Sequence, residues 1–115
     1  DSVFLKKYEL KGYRLNFRSK YRAADIEKSK NSIVPGALFE ISKNDEKKLD
    51  IYEDFPILYK KLYFHYYKKK VMTYIMTKKT EFRYPTERYL NVVKRGYKDC
   101  KLEMKYLQIA LQPIK

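Results

Sequence analysis

This sequence contains one cysteine, Cys100, one histidine, His65, only three glycines and no tryptophan. With Cys100 alone no internal disulfide can form, and a reducing, cytoplasmic setting is the simplest fit. Zinc sites draw on several His and Cys ligands, so no metal is expected. His65 reads as a packed or surface histidine in a strand. Gly12, Gly36 and Gly96 stand far apart and form no phosphate-cradling loop. No serine sits in a nucleophile elbow, and a Ser–His pair would have only His65 to use. No apolar run approaches the length of a membrane span, and no basic-then-apolar leader opens the chain. Nucleotide, flavin and zinc chemistry are thereby set aside, with no cofactor expected. Any chemistry must rest on carboxylates or tyrosines.

What the chain has in abundance is positive charge and tyrosine. Its formal charge is +13, with 13 tyrosines among 115 residues. A polyanion partner stacked on tyrosines is one reading of that balance. Only six of the 27 basic residues are Arg, and Lys is the weaker phosphate fork. The lysines are scattered in pairs and triplets, and Lys68-Lys69-Lys70 falls at an expected hairpin turn. A dispersed lysine-rich surface, with no specific nucleic-acid partner, is the reading preferred here. The length suits one domain over residues 1–115 with a core of its own. The hydrophobic share of 44% argues against disorder.

Periodicity predicts strands first and helices last. "KGYRLNFRS" alternates Tyr13, Leu15 and Phe17 against Arg14, Asn16 and Arg18. "SIVPGALFEIS" places Pro35, Ala37, Phe39 and Ile41 on one face. "ILYKKLYFHYY" and "KVMTYIMT" flank the lysine triplet as a hairpin. Strands are expected near 12–18, 34–41, 58–66 and 71–77. Ser42 and Asp45 resemble a capping box opening a helix near 43–53. Thr86 caps a second near 86–98, with Tyr89, Leu90, Val93 and Tyr97 at helical spacing. A third is expected near 102–111, carrying Met104, Leu107 and Leu111 and ended by Pro113.

The acidic stretch "LDIYEDFP", residues 49–56, stands out in so basic a chain. Glu53 shares a helix face with Leu49 and Tyr52 and should point toward the core; Asp50 should look outward. Glu53 also falls at the helix C-terminus, where the macrodipole disfavours negative charge. Asp50 and Asp54 add repulsion, and burial adds a desolvation cost. Each effect raises a carboxylate's pKa, which suits a group that both takes and gives a proton. The competing reading is a solvated helix-end acid balanced by Lys47, Lys48 or Lys60.

"LDIYEDFPILY", "KVMTYIMT" and "YPTERYLNVVKRGYKDCKL", in that order, resemble the gamma-glutamylcyclotransferase-like (AIG2-like) family, and "YRLNF" and "VPGALFEIS" are similar to its preceding strands. The resemblance runs from about Leu10 to Leu111. It implies an α+β fold, a small mixed β-barrel with flanking helices. It also implies a reaction, cyclisation of gamma-glutamyl amides or dipeptides to 5-oxoproline with release of the amine or amino acid. Within it, Glu53 is the general acid and base, and Tyr89 contacts substrate. Tyr74 and Tyr59 match further recurrent tyrosines, with plain packing as their other reading. The family's Tyr-Gly-Ser-Asn type turn, whose N–H groups hold the glutamyl moiety, has no counterpart here. Because residue 1 is Asp and not Met, the expectation is that this N-terminal strand and turn lie outside the sequence. Asp54 stands where the family often has Gly.

Two other functions remain open: a non-catalytic module binding a small ligand or a protein on the same fold, and a basic nucleic-acid-binding domain. The particular gamma-glutamyl substrate and the oligomeric state are not specified by the residues.

Overall fold

The computed structural model describes residues 2–112. Asp1 and the expected helix stop at Pro113 lie outside them. Strand β1, Ser2–Arg18, pairs antiparallel with β2, Ala23–Ile41, setting Phe17 opposite Ala24 and Leu15 opposite Ile26. Ser19 and Arg22 take positive φ in the connecting turn, and the Arg22 N–H donates to the Ser19 carbonyl at 3.0 Å. The register shifts between Lys11 and Tyr13, where Gly12 adopts φ 84, a conformation open to glycine at a bulge. Both strands run much further than the expected 12–18 and 34–41. "FLKKYELK" mixes lysines into both faces and shows no clean alternation. Its extension comes from pairing with β2, including an edge-on contact of Phe4 with Phe39 at 5.6 Å.

β3, Tyr59–Tyr66, and β4, Lys69–Met76, form the expected hairpin, with Tyr67 at positive φ and Lys68 in the turn. His65 lies exposed on β3. The two hairpins are separate two-stranded sheets among the described residues, so no continuous ladder closes a barrel, while the α+β class with flanking helices holds. Side chains join the sheets. Tyr8 stacks on Phe64 with centroids 5.5 Å apart, and Lys6 Nζ donates to the Tyr66 hydroxyl at 2.6 Å. At the other end, Asp25 Oδ1 accepts the Met76 N–H at 2.7 Å.

The helices follow the caps read from the sequence. α1, Lys43–Tyr52, starts where the Ser42 hydroxyl accepts the Asp45 N–H. α2, Glu87–Asp99, starts where the Thr86 hydroxyl accepts the Tyr89 N–H. α3 spans Met104–Ala110. Phe17, Leu90, Tyr97, Leu107 and Ala110 form the buried core, so β1 packs against α2 and α3. α1 contributes no buried residue. It is held from the side by Lys61, whose ammonium bridges Glu46 at 2.7 Å and Asp50 at 3.0 Å.

The polar face expected on β1 is itself covered near the turn: Asn16 and Arg18 are buried, as is Asp25 on the facing β2. Arg18 pairs with Glu27, sits 3.3 Å from Asp25 and donates to the Thr80 carbonyl. Lys79 reaches Asp25 at 2.7 Å. Pairing with each other and with the more exposed Glu27 and Lys79 lets Arg18 and Asp25 lie buried.

Candidate active site

A cavity of about 1470 Å³ lies between the two hairpins and α1. Glu46, Leu49 and Glu53 line it from α1 and its cap, at i, i+3 and i+7. Ala24 and Asp25 line it from β2, Tyr59 and Tyr74 from β3 and β4, and Tyr89 from α2. All four side chains singled out in the sequence therefore meet in one cavity.

Glu53 is the C-cap of α1 rather than a residue within it. The chain then turns in a Schellman arrangement. The Phe55 N–H donates to the Asp50 carbonyl at 2.9 Å, and the Asp54 N–H to the Ile51 carbonyl at 3.2 Å. Asp54 occupies the left-handed position of this turn, with φ 55. That is the place where glycine is favoured. The turn halts the helix with Glu53 half-buried at the cavity wall, and burial raises its carboxyl pKa. Desolvation is the cause of the rise. The expected grouping on α1 is corrected as well. Leu49 faces the cavity rather than the core, and Tyr52 is 83% exposed. A helix anchored from one side presents fewer residues inward than a core helix does.

The tyrosines are held by protein partners. The Tyr59 hydroxyl donates to the Ala24 carbonyl at 2.6 Å, and the Tyr89 hydroxyl accepts the Ala24 N–H at 3.0 Å. The Tyr74 hydroxyl donates to Asp50 at 2.5 Å. Burial is the leading cause that pushes all three phenols up, and the charge of Glu53 adds to each. Glu53 is thus electrostatically close to every one of them.

Asp50 does not look outward as the helix-face reading expected. It turns to the β3–β4 hairpin, accepting from Tyr74 and Lys61. The Tyr74 hydroxyl bond, ahead of Lys61, holds its carboxyl below the usual range. A hairpin packed beside α1 offers Asp50 donors that no one-dimensional pattern displays.

Sequence reasoning also missed Asp25 and the Ala24 backbone. The available signal was the alternation of polar residues on both sides of the β1–β2 turn, where Asn16 faces Asp25 and Arg14 faces Glu27. Among the described residues no three His, Cys, Asp or Glu side chains gather as a metal site. No helix among them is long and apolar enough to cross a membrane.

The open α+β fold gathers the half-buried Glu53 and the side chains of Tyr59, Tyr74 and Tyr89, together with Tyr66 and Tyr67, around a cavity of small-molecule size. The family model for gamma-glutamyl cyclotransferase, AIG2-like, matches residues 1–92, and the chain belongs to that family. The matched span includes Glu53, Tyr59, Tyr74 and Tyr89, and stops short of the end of α2. Two solved structures share the fold. They are uncharacterized protein loc79017 from Homo sapiens (TM-score 0.77) and a gamma-glutamyl cyclotransferase (TM-score 0.75). Each is 21% identical over 99% of this chain and 77% of its own. No curated protein matches the sequence. Family and fold together point to a gamma-glutamyl cyclotransferase-like function.

Proposed function

We propose that the chain cyclises gamma-glutamyl amides or dipeptides to 5-oxoproline, with Glu53 as the single general acid and base. The observation that carries this reading is a half-buried carboxylate with a raised pKa, set at a cavity wall among Tyr59, Tyr74 and Tyr89. The glutamyl α-ammonium gives a proton to Glu53. The freed amine attacks its own γ-carbonyl carbon, closing the five-membered ring. The bond from that carbon to the leaving nitrogen breaks, and Glu53 returns its proton to this nitrogen. No water or redox partner is consumed. Ring closure is intramolecular, so substrate folding supplies much of the rate and proton transfer the remainder. A carboxylate whose pKa is raised by burial is better matched to both transfers than an ordinary one.

A second reading is favoured by one observation. The Tyr59 and Tyr74 hydroxyl protons are already given to Ala24 and Asp50. A non-catalytic module would need those tyrosines only as packing around a small ligand. The separating experiment is 5-oxoproline release from a panel of gamma-glutamyl dipeptides and amines, with wild type and Glu53→Gln compared. Gln is nearly isosteric and cannot exchange a proton as a carboxylate does. Turnover should fall about a hundred- to ten-thousandfold, with the fold kept and no loss of thermal stability. Undiminished turnover in Glu53→Gln removes Glu53 from the chemistry. A wild type that binds members of the panel and turns over none leaves the binding module.

A further inference from the structure

The Lys68-Lys69-Lys70 triplet takes no part in the proton chemistry, yet it lines the same cavity as Glu53. It does so from the other end. β3 and β4 run from Tyr59 opposite Met76 to Tyr66 opposite Lys69. Tyr74, bonded to α1 through Asp50, stands five residues along β4 from Lys69, which is about 17 Å of strand. The cavity follows that length. Its volume of about 1470 Å³ exceeds the roughly 300–1,000 Å³ usual for sites that take drug-sized molecules. A gamma-glutamyl unit spans only about 4 Å from α-carbon to γ-carbonyl, at roughly 1.5 Å per C–C bond. Most of the cavity therefore lies beyond the scissile bond, on the leaving-group side.

Both hairpins build the far end. Lys6 crosses from β1, donates to the Tyr66 hydroxyl at 2.6 Å and lies 5.0 Å from the centre of that ring. An ammonium has three N–H groups, so Lys6 keeps two for a ligand. Tyr67, at φ 55 in the turn, sets its ring edge-on to Tyr66 with centroids 4.6 Å apart. Lys70 lies over the Tyr63 ring at 4.1 Å, and Lys68 and Lys69 stand exposed at the rim. Among the described residues, none of these four lysines pairs with a carboxylate, and Glu40 is the one acid lining this end. A cleft end lined by one sign of charge concentrates the opposite sign there.

We propose that the far end of the cavity holds the leaving group, and that this leaving group is an acidic peptide. At about 3.3–3.6 Å per extended residue, its carboxylates fall roughly three to five residues beyond the scissile amide. A single amino acid as leaving group ends too close to Glu53 to reach these lysines. The inference rests on the cyclotransferase reading and adds a substrate class to it. Ring closure is unchanged: 5-oxoproline forms, and the peptide departs with a new N-terminal amine that carries the proton returned by Glu53.

Gamma-glutamyl peptides with the tail Ala-Ala-Ala-Glu-Glu test it, beside tails ending in Gln-Gln or Lys-Lys and beside gamma-glutamylalanine. The readout is 5-oxoproline release. Each exposed charge pair is worth about a 1.5- to fivefold factor, so kcat/KM for the Glu-Glu tail should exceed that for the Gln-Gln tail about three- to thirtyfold, through KM, with Lys-Lys below both. That ratio should shrink toward one in the Lys68→Gln/Lys69→Gln double variant. It should shrink in wild type too as salt rises from about 0.05 to 1 M, where the screening length falls to roughly 3 Å. A wild-type ratio below about two, or one that survives either the double variant or high salt, overturns the proposal. Release from gamma-glutamylalanine with no preference among the tails defeats this inference alone. If no member of the set, gamma-glutamylalanine included, yields 5-oxoproline, the cyclotransferase reading falls and this inference with it.

Discussion

Replacing Asp54 with glycine should stabilise this protein, and the reason is the backbone rather than the charge. Asp54 sits at φ 55 in the turn that ends α1, with the Asp54 and Phe55 N–H groups closing the Schellman bonds. The left-handed conformation costs an ordinary L-residue about 1–2 kcal/mol, and Asp less than most. Glycine removes that cost but loses more freedom on folding, which takes back part of the gain. The net expectation is about 0.5–1 kcal/mol, or a melting temperature higher by about 2–6 °C for a chain of this size. Asp54→Asn should gain a few tenths of a kcal/mol by removing a negative charge beside a helix C-terminus, roughly the lower end of that effect. Asp54→Ala removes the same charge but lacks the local tolerance of Asn, and should gain nothing. Reversible thermal unfolding of the three variants, followed by circular dichroism, distinguishes them. An alanine variant as stable as the glycine one would refute the reasoning, because charge would then be the limiting term. The acidic limb of the activity profile should not move in Asp54→Gly, since burial is what raises the Glu53 pKa.

Glu53→Gln should be more stable than wild type at neutral pH. A carboxyl whose folded pKa lies above its unfolded value favours the fold at low pH, and that contribution is lost as pH rises through the folded pKa. The advantage of the variant should thus vanish below about pH 4, and a melting temperature gain that persists at low pH would contradict the desolvation cause. Asp25→Ala strips a buried partner from Arg18 and Lys79 and the acceptor from the Met76 N–H. It should cost about 3–5 kcal/mol in urea unfolding, and a loss below about 1 kcal/mol would mean that water or Glu27 takes over.

Much of this molecule is legible along the chain because its causes are local. Ser42 and Thr86 cap the helices they precede since a side-chain oxygen and an N–H three residues on meet in any helix start. Tyr89, Leu90, Val93 and Tyr97 lie on one face by helical repeat alone, and that face does pack on the core. The hairpin around Lys68 follows from alternation and a polar turn. Glu53 was legible because a helix end and a neighbouring Leu49 give direction to a side chain. The family resemblance is likewise carried by short motifs in order. Tertiary structure alone decided the rest. It drew Asp50 inward, because Tyr74 and Lys61 arrive from a hairpin eleven or more residues away. It carried β1 and β2 through lysine-rich segments, because a strand needs a partner's hydrogen bonds more than its own pattern. It buried Arg18 and Asp25 together and hung Tyr59 and Tyr89 on the two backbone groups of Ala24. Those interactions join residues that are remote in the chain, and a buried charge or a tyrosine's hydrogen-bond direction is set only by the partner the folded chain brings to it.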